Sequence, residues 1–148
     1  MKISTKGRYA LAAMISLAQQ ESIPRVETLA ALSGRLGLSK LYLEQVFSLL
    51  RRAELVLSVK GAQGGYRLAR GARDITGWDI LSAVENSLFD QADATVADRS
   101  PGIERAMRDV VFTPLDLAVR TALEAVSLDD LAEEANLPAA DDGYIYII

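Results

Sequence analysis

The 148-residue sequence contains no cysteine and no histidine. The lack of thiols excludes disulfides, thiolate metal sites and cysteine nucleophiles, and the lack of imidazole excludes histidine-based catalysis and pH sensing. No motif pairs another nucleophile with a base. The sequence therefore predicts a protein that is not an enzyme, with no catalytic residue, no metal site and no cofactor.

Long apolar runs are also missing. No segment approaches the roughly 20 apolar residues of a membrane span, and the N-terminus has no apolar signal region followed by a small-residue cleavage site. We therefore expect a cytoplasmic protein.

Charge is distributed unevenly along the chain, whose net charge is −4. Residues 1–78 hold twelve Lys and Arg against five Asp and Glu, a net charge of +7, whereas residues 79–148 hold four against fifteen, a net charge of −11. This division indicates that the first half contacts DNA and the second half contacts partners. The alternative is an interaction adaptor that no longer binds DNA, and the basic first half argues against it.

The most informative segment runs from Leu38 to Arg70, LSKLYLEQVFSLLRRAELVLSVKGAQGGYRLAR. Ser39 is a good helix cap, and apolar residues follow it at helical spacing, which predicts one buried face. The other face carries side chains that can reach phosphates or base edges in a major groove. The buried face comprises Leu43, Val46, Phe47 and Leu50, and the polar face comprises Lys40, Tyr42, Glu44, Gln45, Ser48, Arg51 and Arg52.

A β-hairpin is predicted directly after this helix. Residues 55–59 are β-prone, the glycines of KGAQGG permit a tight tip, and Tyr66 begins the return strand. Lys60, Arg67 and Arg70 would face a phosphate backbone or minor groove. A recognition helix followed by such a wing is typical of winged-helix DNA-binding domains. As the alternative, the hairpin is an ordinary turn and the arginines are a solvated face.

The remaining predicted elements complete a mainly α fold with a small β-hairpin wing and a long dimerisation helix. From Ile103 an apolar stripe is too long for one small core to cover, which favours contact with a second copy. Pro114, with Thr113 as its cap, is expected to kink or restart that helix. The stripe comprises Met107, Val110, Val111, Leu115, Ala118 and Ala122.

Shorter elements are predicted on either side of the wing, and Trp78 is expected in the core. The helices are expected at about Thr5 to Gln20, at Val26 to Ser33 after Pro24, at Gly77 to Asn86 with Thr76 as cap, and at Leu128 to Ala135 with Ser127 as cap; a turn is expected at Gly34 to Leu38.

Three regions are expected. Residues 1–86 form the winged helix-turn-helix domain, residues 87–102 form a flexible loop, and residues 103–148 form the dimerisation helix, a short terminal helix and a C-terminal tail. The tail ends GYIYII, and it either adds a strand to its own fold or inserts into a partner.

Three motifs in order, MKISTKGRYALAAMISLA, LYLEQVFSLLRRAELV and SVKGAQGGYRLAR, resemble the Rrf2 family of winged-helix regulators over almost the whole chain. The resemblance implies a homodimeric repressor that binds a pseudo-palindromic DNA operator. Cluster-bearing members hold an iron–sulfur cluster on cysteines in the loop before the long helix. The matching residues here, 88–104, contain no cysteine, which implies a regulator without a cluster.

Within the family, the start MKISTKGRY and the tyrosine- and isoleucine-rich end are similar to the cysteine-metabolism repressor (CymR) type. That resemblance implies control of cysteine and sulfur genes with cysteine synthase as partner, docked through a tail comprising Tyr146, Ile147 and Ile148. The alternative is a small-molecule effector in another pathway.

The resemblance also implies which residues contact DNA. Two departures from the family pattern leave the operator open: Lys60 stands where an arginine is usual, and Leu41 where a small polar residue is common. The predicted contacts are Lys2, Thr5, Lys6 and Arg8 at the N-terminus, Ser39, Lys40, Tyr42, Glu44, Gln45 and Arg51 in the recognition helix, and Lys60, Gly64, Gly65, Tyr66 and Arg67 in the wing.

Overall fold

A computed structural model describes residues 1–19 and 26–138. The predicted mainly α fold with a two-stranded wing is confirmed. Pro24 and the predicted docking tail lie outside the described residues. The helices and strands are α1 (Thr5–Gln19), α2 (Leu29–Leu36), α3 (Lys40–Arg52), β1 (Val56–Val59), β2 (Gly65–Leu68), α4 (Gly77–Val84), α5 (Pro101–Met107), α6 (Thr113–Glu124) and α7 (Leu128–Ala135).

Helix α2 begins three residues later than predicted. Thr28 caps it, because its hydroxyl accepts a hydrogen bond from the Ala31 N–H at 3.0 Å. The predicted start, Val26, lies before the helix, and the next residue, Glu27, pairs with the wing.

The turn predicted at Gly34 to Leu38 is also shorter than expected. Gly34 lies inside α2, and the helix ends where Gly37 adopts a left-handed conformation with φ of 68°. A left-handed residue ends a helix readily when it is glycine, because glycine has no Cβ to clash.

Helix α3 follows the prediction closely. The Ser39 hydroxyl accepts from the Tyr42 N–H at 3.2 Å, and the four predicted core residues of this helix are fully buried. The strands β1 and β2 then pair antiparallel, from Val56 opposite Leu68 to Val59 opposite Gly65.

Helix α4 is shorter than predicted, and Trp78 is not a core residue. The Thr76 and Asp79 side chains form a reciprocal capping box, but the helix ends at Val84 because Glu85 is extended. Trp78 is half-buried, and its ring packs at 4.6 Å from the Phe89 ring. The core is closed instead by aliphatic side chains of α4, which leaves the indole at the surface of the helix.

Residues 101–124 form one long helix in which five residues, Arg108–Phe112, make a π-helical segment. The irregularity comes immediately before Pro114, whose ring would clash with the carbonyl four residues earlier in a regular helix. The helix therefore departs from regular α geometry before Pro114, but it does not restart there. Thr113 is not a cap: its backbone is helical, and no side-chain cap bond is made. The helix also begins before Ile103, the predicted start.

Helix α7 returns to the first half of the chain. Ser127 caps it as predicted, accepting from the Asp130 N–H at 3.0 Å. Its Leu128 and Ala132 join the same core as α1 and α3. None of the helices in the two described ranges is long and apolar enough to cross a bilayer.

Candidate nucleic-acid interface

The outward face of α3 is available for contact. Lys40, Glu44, Gln45 and Arg51 are exposed, and all four were predicted to contact DNA. Because the opposite face is packed in the core, the helix is fixed with these side chains directed away from the protein. A rigid helix with a polar outer face has the form that fits a major groove.

A shallow groove of about 410 Å³ runs beside α3. Lys6 of α1 and Glu44, Gln45 and Ser48 of α3 line it together with Leu41. The structure thus brings one predicted N-terminal contact, Lys6, next to Glu44 and Gln45, two predicted contacts of the recognition helix.

Two predicted contact residues carry structural roles. The Tyr42 ring is half-buried and packs edge-on against Tyr9, with ring centroids 5.0 Å apart. The Tyr66 ring packs 4.8 Å from Phe47. Both aromatic rings therefore join elements to each other, the first α1 to α3 and the second the wing to α3.

The N-terminal residues are held in place by a network that sequence reasoning missed. Glu85, at the end of α4, accepts from the Ser4 N–H at 3.0 Å and the Ser4 hydroxyl at 2.8 Å. The same hydroxyl accepts from the Gly7 N–H, and a side chain at Gly7 would overlap the Glu85 carboxylate. A serine before a helix start is a signal for such a cap, but its partner 81 residues away is not visible in sequence.

Of the predicted N-terminal contacts, Lys2, Thr5 and Arg8 are exposed. The Arg8 guanidinium donates to the Ile3 carbonyl at 2.8 Å and to the Thr5 hydroxyl at 3.2 Å. These bonds hold positive charge beside the start of α1, although they occupy some of the donors that a phosphate would use.

In the wing, Lys60 and Arg67 are exposed as predicted. Glycine is required at positions 64 and 65 by the neighbouring backbone. A Cβ at Gly64 would overlap the Val59 carbonyl, and a Cβ at Gly65, where φ is 153°, would overlap the Glu27 carbonyl. Their presence is therefore explained without contact to DNA.

Arg70, which was expected to face a phosphate backbone or minor groove, is exposed but also makes contacts within the protein. Its guanidinium donates to the Asp74 carbonyl at 2.8 Å and to the Asp79 carboxylate at 3.1 Å. Because Asp79 also belongs to the capping box of α4, Arg70 joins the wing to that helix.

A second network attaches the wing to the helix-turn-helix. Glu27 and Tyr66 exchange backbone hydrogen bonds, each 2.8 Å long, which adds an extended residue to the wing. Arg35 of α2 lies 3.5 Å from the Glu27 carboxylate and donates twice to the buried Ser16 hydroxyl of α1, at 3.0 and 2.7 Å. These contacts fix the wing relative to α1 and α2, and no sequence motif indicated them.

The loop before the long helix is fastened by Glu104. One oxygen of this nearly buried carboxylate accepts the N–H groups of Thr95 and Val96, both at 2.7 Å. These hydrogen bonds, from Val96 first and Thr95 second, lower the pKa of Glu104 below its ordinary value of 4.5. Part of the segment predicted as a flexible loop is therefore hydrogen-bonded to α5.

A family model named Rrf2 and described as an iron-dependent transcriptional regulator matches residues 3–134. The HTH-type transcriptional regulator IscR of Aliivibrio salmonicida is 36% identical over 148 residues, covering 96% of this chain and 83% of its own. The IscR of Cereibacter sphaeroides is 38% identical over 143 residues, covering 93% and 91%.

Solved structures agree with this match. CymR, the global cysteine regulator of B. subtilis, has a TM-score of 0.74 at 36% identity, covering 90% of this chain and 98% of its own. IscR of T. potens has a TM-score of 0.68 at 38% identity, covering 99% and 96%.

The residues present do not fit an iron–sulfur centre. Such clusters are held by cysteine thiolates, and this chain contains none. Within residues 1–19 and 26–138, no three His, Cys, Asp or Glu side chains are grouped so that they could hold a metal ion. The carboxylate of Glu104, in the matching region, is instead engaged by two backbone N–H groups.

The match of the family model to most of the chain, the relatives and the winged-helix geometry lead to one conclusion. The chain belongs to the Rrf2 family of DNA-binding transcription regulators.

Proposed function

We propose that this protein is a cytoplasmic, homodimeric repressor that binds a pseudo-palindromic operator without an iron–sulfur cluster. The observation that carries the proposal is the outward face of α3 beside an exposed, basic wing on the half of the chain whose net charge is +7. One recognition helix would enter each half-site, and the half-sites would lie one helical turn of DNA, or a small multiple of it, apart.

The apolar surface of the long helix supports the homodimer. Val110, Val111 and Leu115 are 73%, 53% and 57% exposed in the single chain. Apolar side chains that recur along one helix and lie uncovered are typical of a contact with a second copy. A twofold dimer would place two recognition helices on one face of DNA.

Replacement of Gln45 and of Arg67 tests the DNA-binding role. With a duplex selected from random sequences by the unmodified protein, Gln45→Ala should lower affinity by about 1–3 kcal/mol and bring it closer to that for unrelated duplexes. Arg67→Ala should weaken binding to all duplexes alike, because a phosphate contact carries no sequence information. Equal losses on selected and unrelated duplexes for Gln45→Ala would contradict the assignment of base reading to α3.

For the signal, we propose control of cysteine and sulfur genes with cysteine synthase as co-regulator. Its support is the similarity to the cysteine regulator CymR of B. subtilis and the β-prone, isoleucine-rich segment GYIYII at residues 143–148, of the kind that partner grooves bind. Calorimetry should show that the protein binds cysteine synthase and that O-acetylserine competes with this binding. Removal of Ile147 and Ile148 should abolish it. Binding without tail dependence would refute the docking mode, and no binding would refute the partner.

The second candidate signal is a small molecule, and one groove favours it. A groove of about 480 Å³ lies between α4, residues 88–91 and α6, and it is lined by Trp78, Phe89 and Arg120. The Arg120 guanidinium lies 4.9 Å from the centre of the Trp78 ring. Because the groove lies between α4, which packs in the winged-helix core, and α6 of the long helix, a ligand bound there would contact both.

Trp78 is the single tryptophan of the chain, so its fluorescence reports directly on this groove. A metabolite that changes both the fluorescence and the affinity for DNA would identify an effector. If metabolites that change DNA affinity leave the fluorescence unchanged, the groove is not the effector site.

A further inference from the structure

An apolar side chain stands in the middle of the polar face of the recognition helix. Leu41 is 69% exposed, whereas Leu43 and Leu50 of the same helix are fully buried. On a regular helix of 3.6 residues per turn, Leu41 lies about 170° from the centre of the buried face. Gln45 and Ser48 follow it at spacings of four and seven residues, on the same side.

Leu41 also lies at the end of the helix that reaches bases. It is the second residue of α3, after the Ser39 cap, and residues near the N-terminus of a recognition helix contact base edges. The same groove is lined by the polar residues Lys6, Glu44, Gln45 and Ser48 and by the half-buried Leu49, so Leu41 is the one exposed apolar side chain among its lining residues. A hydrophobic protein partner would need a wider apolar patch than this surface offers.

The major groove offers one distinct apolar feature to such a side chain, the C5-methyl group of thymine. Resting on the DNA-binding function proposed above, we propose that Leu41 reads a thymine in each half-site through contact with that methyl group. Leucine cannot donate or accept a hydrogen bond, so the contact selects a base by its methyl group alone. Glu44 and Gln45, on the same groove, are left to recognise polar edges of neighbouring bases.

Removal of single methyl groups from DNA tests the proposal. In a duplex selected by the unmodified protein, each thymine is replaced in turn by deoxyuridine, which changes only the methyl group. One symmetry-related thymine pair should be sensitive, with affinity falling about fourfold per half-site, since a buried methyl contributes about 0.8 kcal/mol. Replacement of that thymine by cytosine should weaken binding, and replacement by 5-methylcytosine should recover part of the loss.

Leu41→Ala provides the second arm of the experiment. Because Leu41 is exposed, the variant should fold normally, and it should bind the thymine and deoxyuridine duplexes equally at the sensitive position. Leu137→Ala is the matched control: it is the same change at a leucine 60% exposed beyond α7, and it should retain the sensitivity of the unmodified protein.

The outcomes separate this inference from the function on which it rests. If no sequence is enriched from random duplexes, the proposed sequence-specific function fails. If specific binding is found but no thymine is sensitive to loss of its methyl group, or Leu41→Ala is as sensitive as the unmodified protein, the role of Leu41 is refuted while the DNA-binding function stands.

Discussion

At the scale of single residues, the side chain of Arg35 holds three elements together. It joins α2, the Ser16 hydroxyl of α1 and the Glu27 carboxylate next to the wing. Because Ser16 and Glu27 are both buried, removal of Arg35 would leave two polar groups without this partner.

We expect Arg35→Met, which keeps much of the aliphatic length, to lower the free energy of unfolding by about 1–3 kcal/mol. Urea denaturation measures the change, and Arg52→Met, at an exposed arginine near the end of α3, is the control with little expected effect. A similar stability for both variants would contradict the structural role of Arg35.

Residues whose role is local could be predicted from sequence, and those with distant partners could not. The Ser39 and Ser127 caps bond to N–H groups three residues away, within reach of a sequence pattern. Ser16 and Arg35 are 19 residues apart and meet only after α1 and α2 pack. Arg70 was expected to face DNA, and its pairing with Asp79 was not predicted, because that pairing depends on how the wing meets α4.

At the scale of elements, the position of the wing depends on Gly65. Its φ of 153° is unfavourable for other residues, and a Cβ there would overlap the Glu27 carbonyl. Glu27 is the residue whose backbone is hydrogen-bonded to the wing at Tyr66. Gly65→Ala should therefore destabilise the protein and displace the wing, with loss of DNA affinity. Chemical denaturation and duplex titration measure the two effects.

Gly34→Ala is the contrasting change. Gly34 lies inside α2 with open space around it, so alanine should stabilise the helix by about 0.5–1 kcal/mol. A Gly65→Ala variant as stable as the unmodified protein would contradict the role given to Gly65, and a destabilised Gly34→Ala would contradict the prediction for Gly34.

The hydrogen bonds between Glu104 of α5 and the backbone of Thr95 and Val96 should make the stability of this region sensitive to acid. The pKa of Glu104 is lowered in the folded protein, so the ionised carboxylate stabilises the fold at pH values above its ordinary pKa of 4.5. This stabilisation is lost as the pH falls through the lowered pKa of the folded protein. We expect Glu104→Gln to be less stable than the unmodified protein at neutral pH, with the difference shrinking below that value.

Urea denaturation at several pH values measures this difference, and hydrogen exchange at the Thr95 and Val96 amides locates it. A stability difference that is constant from pH 7 to acid pH would contradict the role of the carboxylate charge.

Element types were easier to predict than their boundaries. Hydrophobic periodicity indicated the helices, but α2 starts late because Thr28 caps it and Glu27 is used by the wing. The π-helical segment accommodates Pro114 within a continuous helix, and the sequence pattern did not distinguish this from a restart.

At the scale of the whole molecule, the proposed binding to a two-part operator requires two copies of the chain. Val111 is 53% exposed on the long helix, and in a dimer it would be buried against the second copy. We expect Val111→Asp to give a folded monomer, because a buried, unpaired carboxylate opposes association. Sedimentation velocity measures the mass and circular dichroism checks the fold; a variant that sediments like the unmodified protein would place the interface elsewhere.

We propose above all that the basic half of the chain binds DNA with sequence preference. The most direct test is to measure the affinity for a selected and an unrelated duplex across a series of salt concentrations. We expect log affinity to fall linearly and steeply with log salt on both duplexes. The selected duplex should bind more tightly throughout, and two chains should bind per duplex. Salt-independent binding, or equal affinity for the two duplexes, would contradict this proposal.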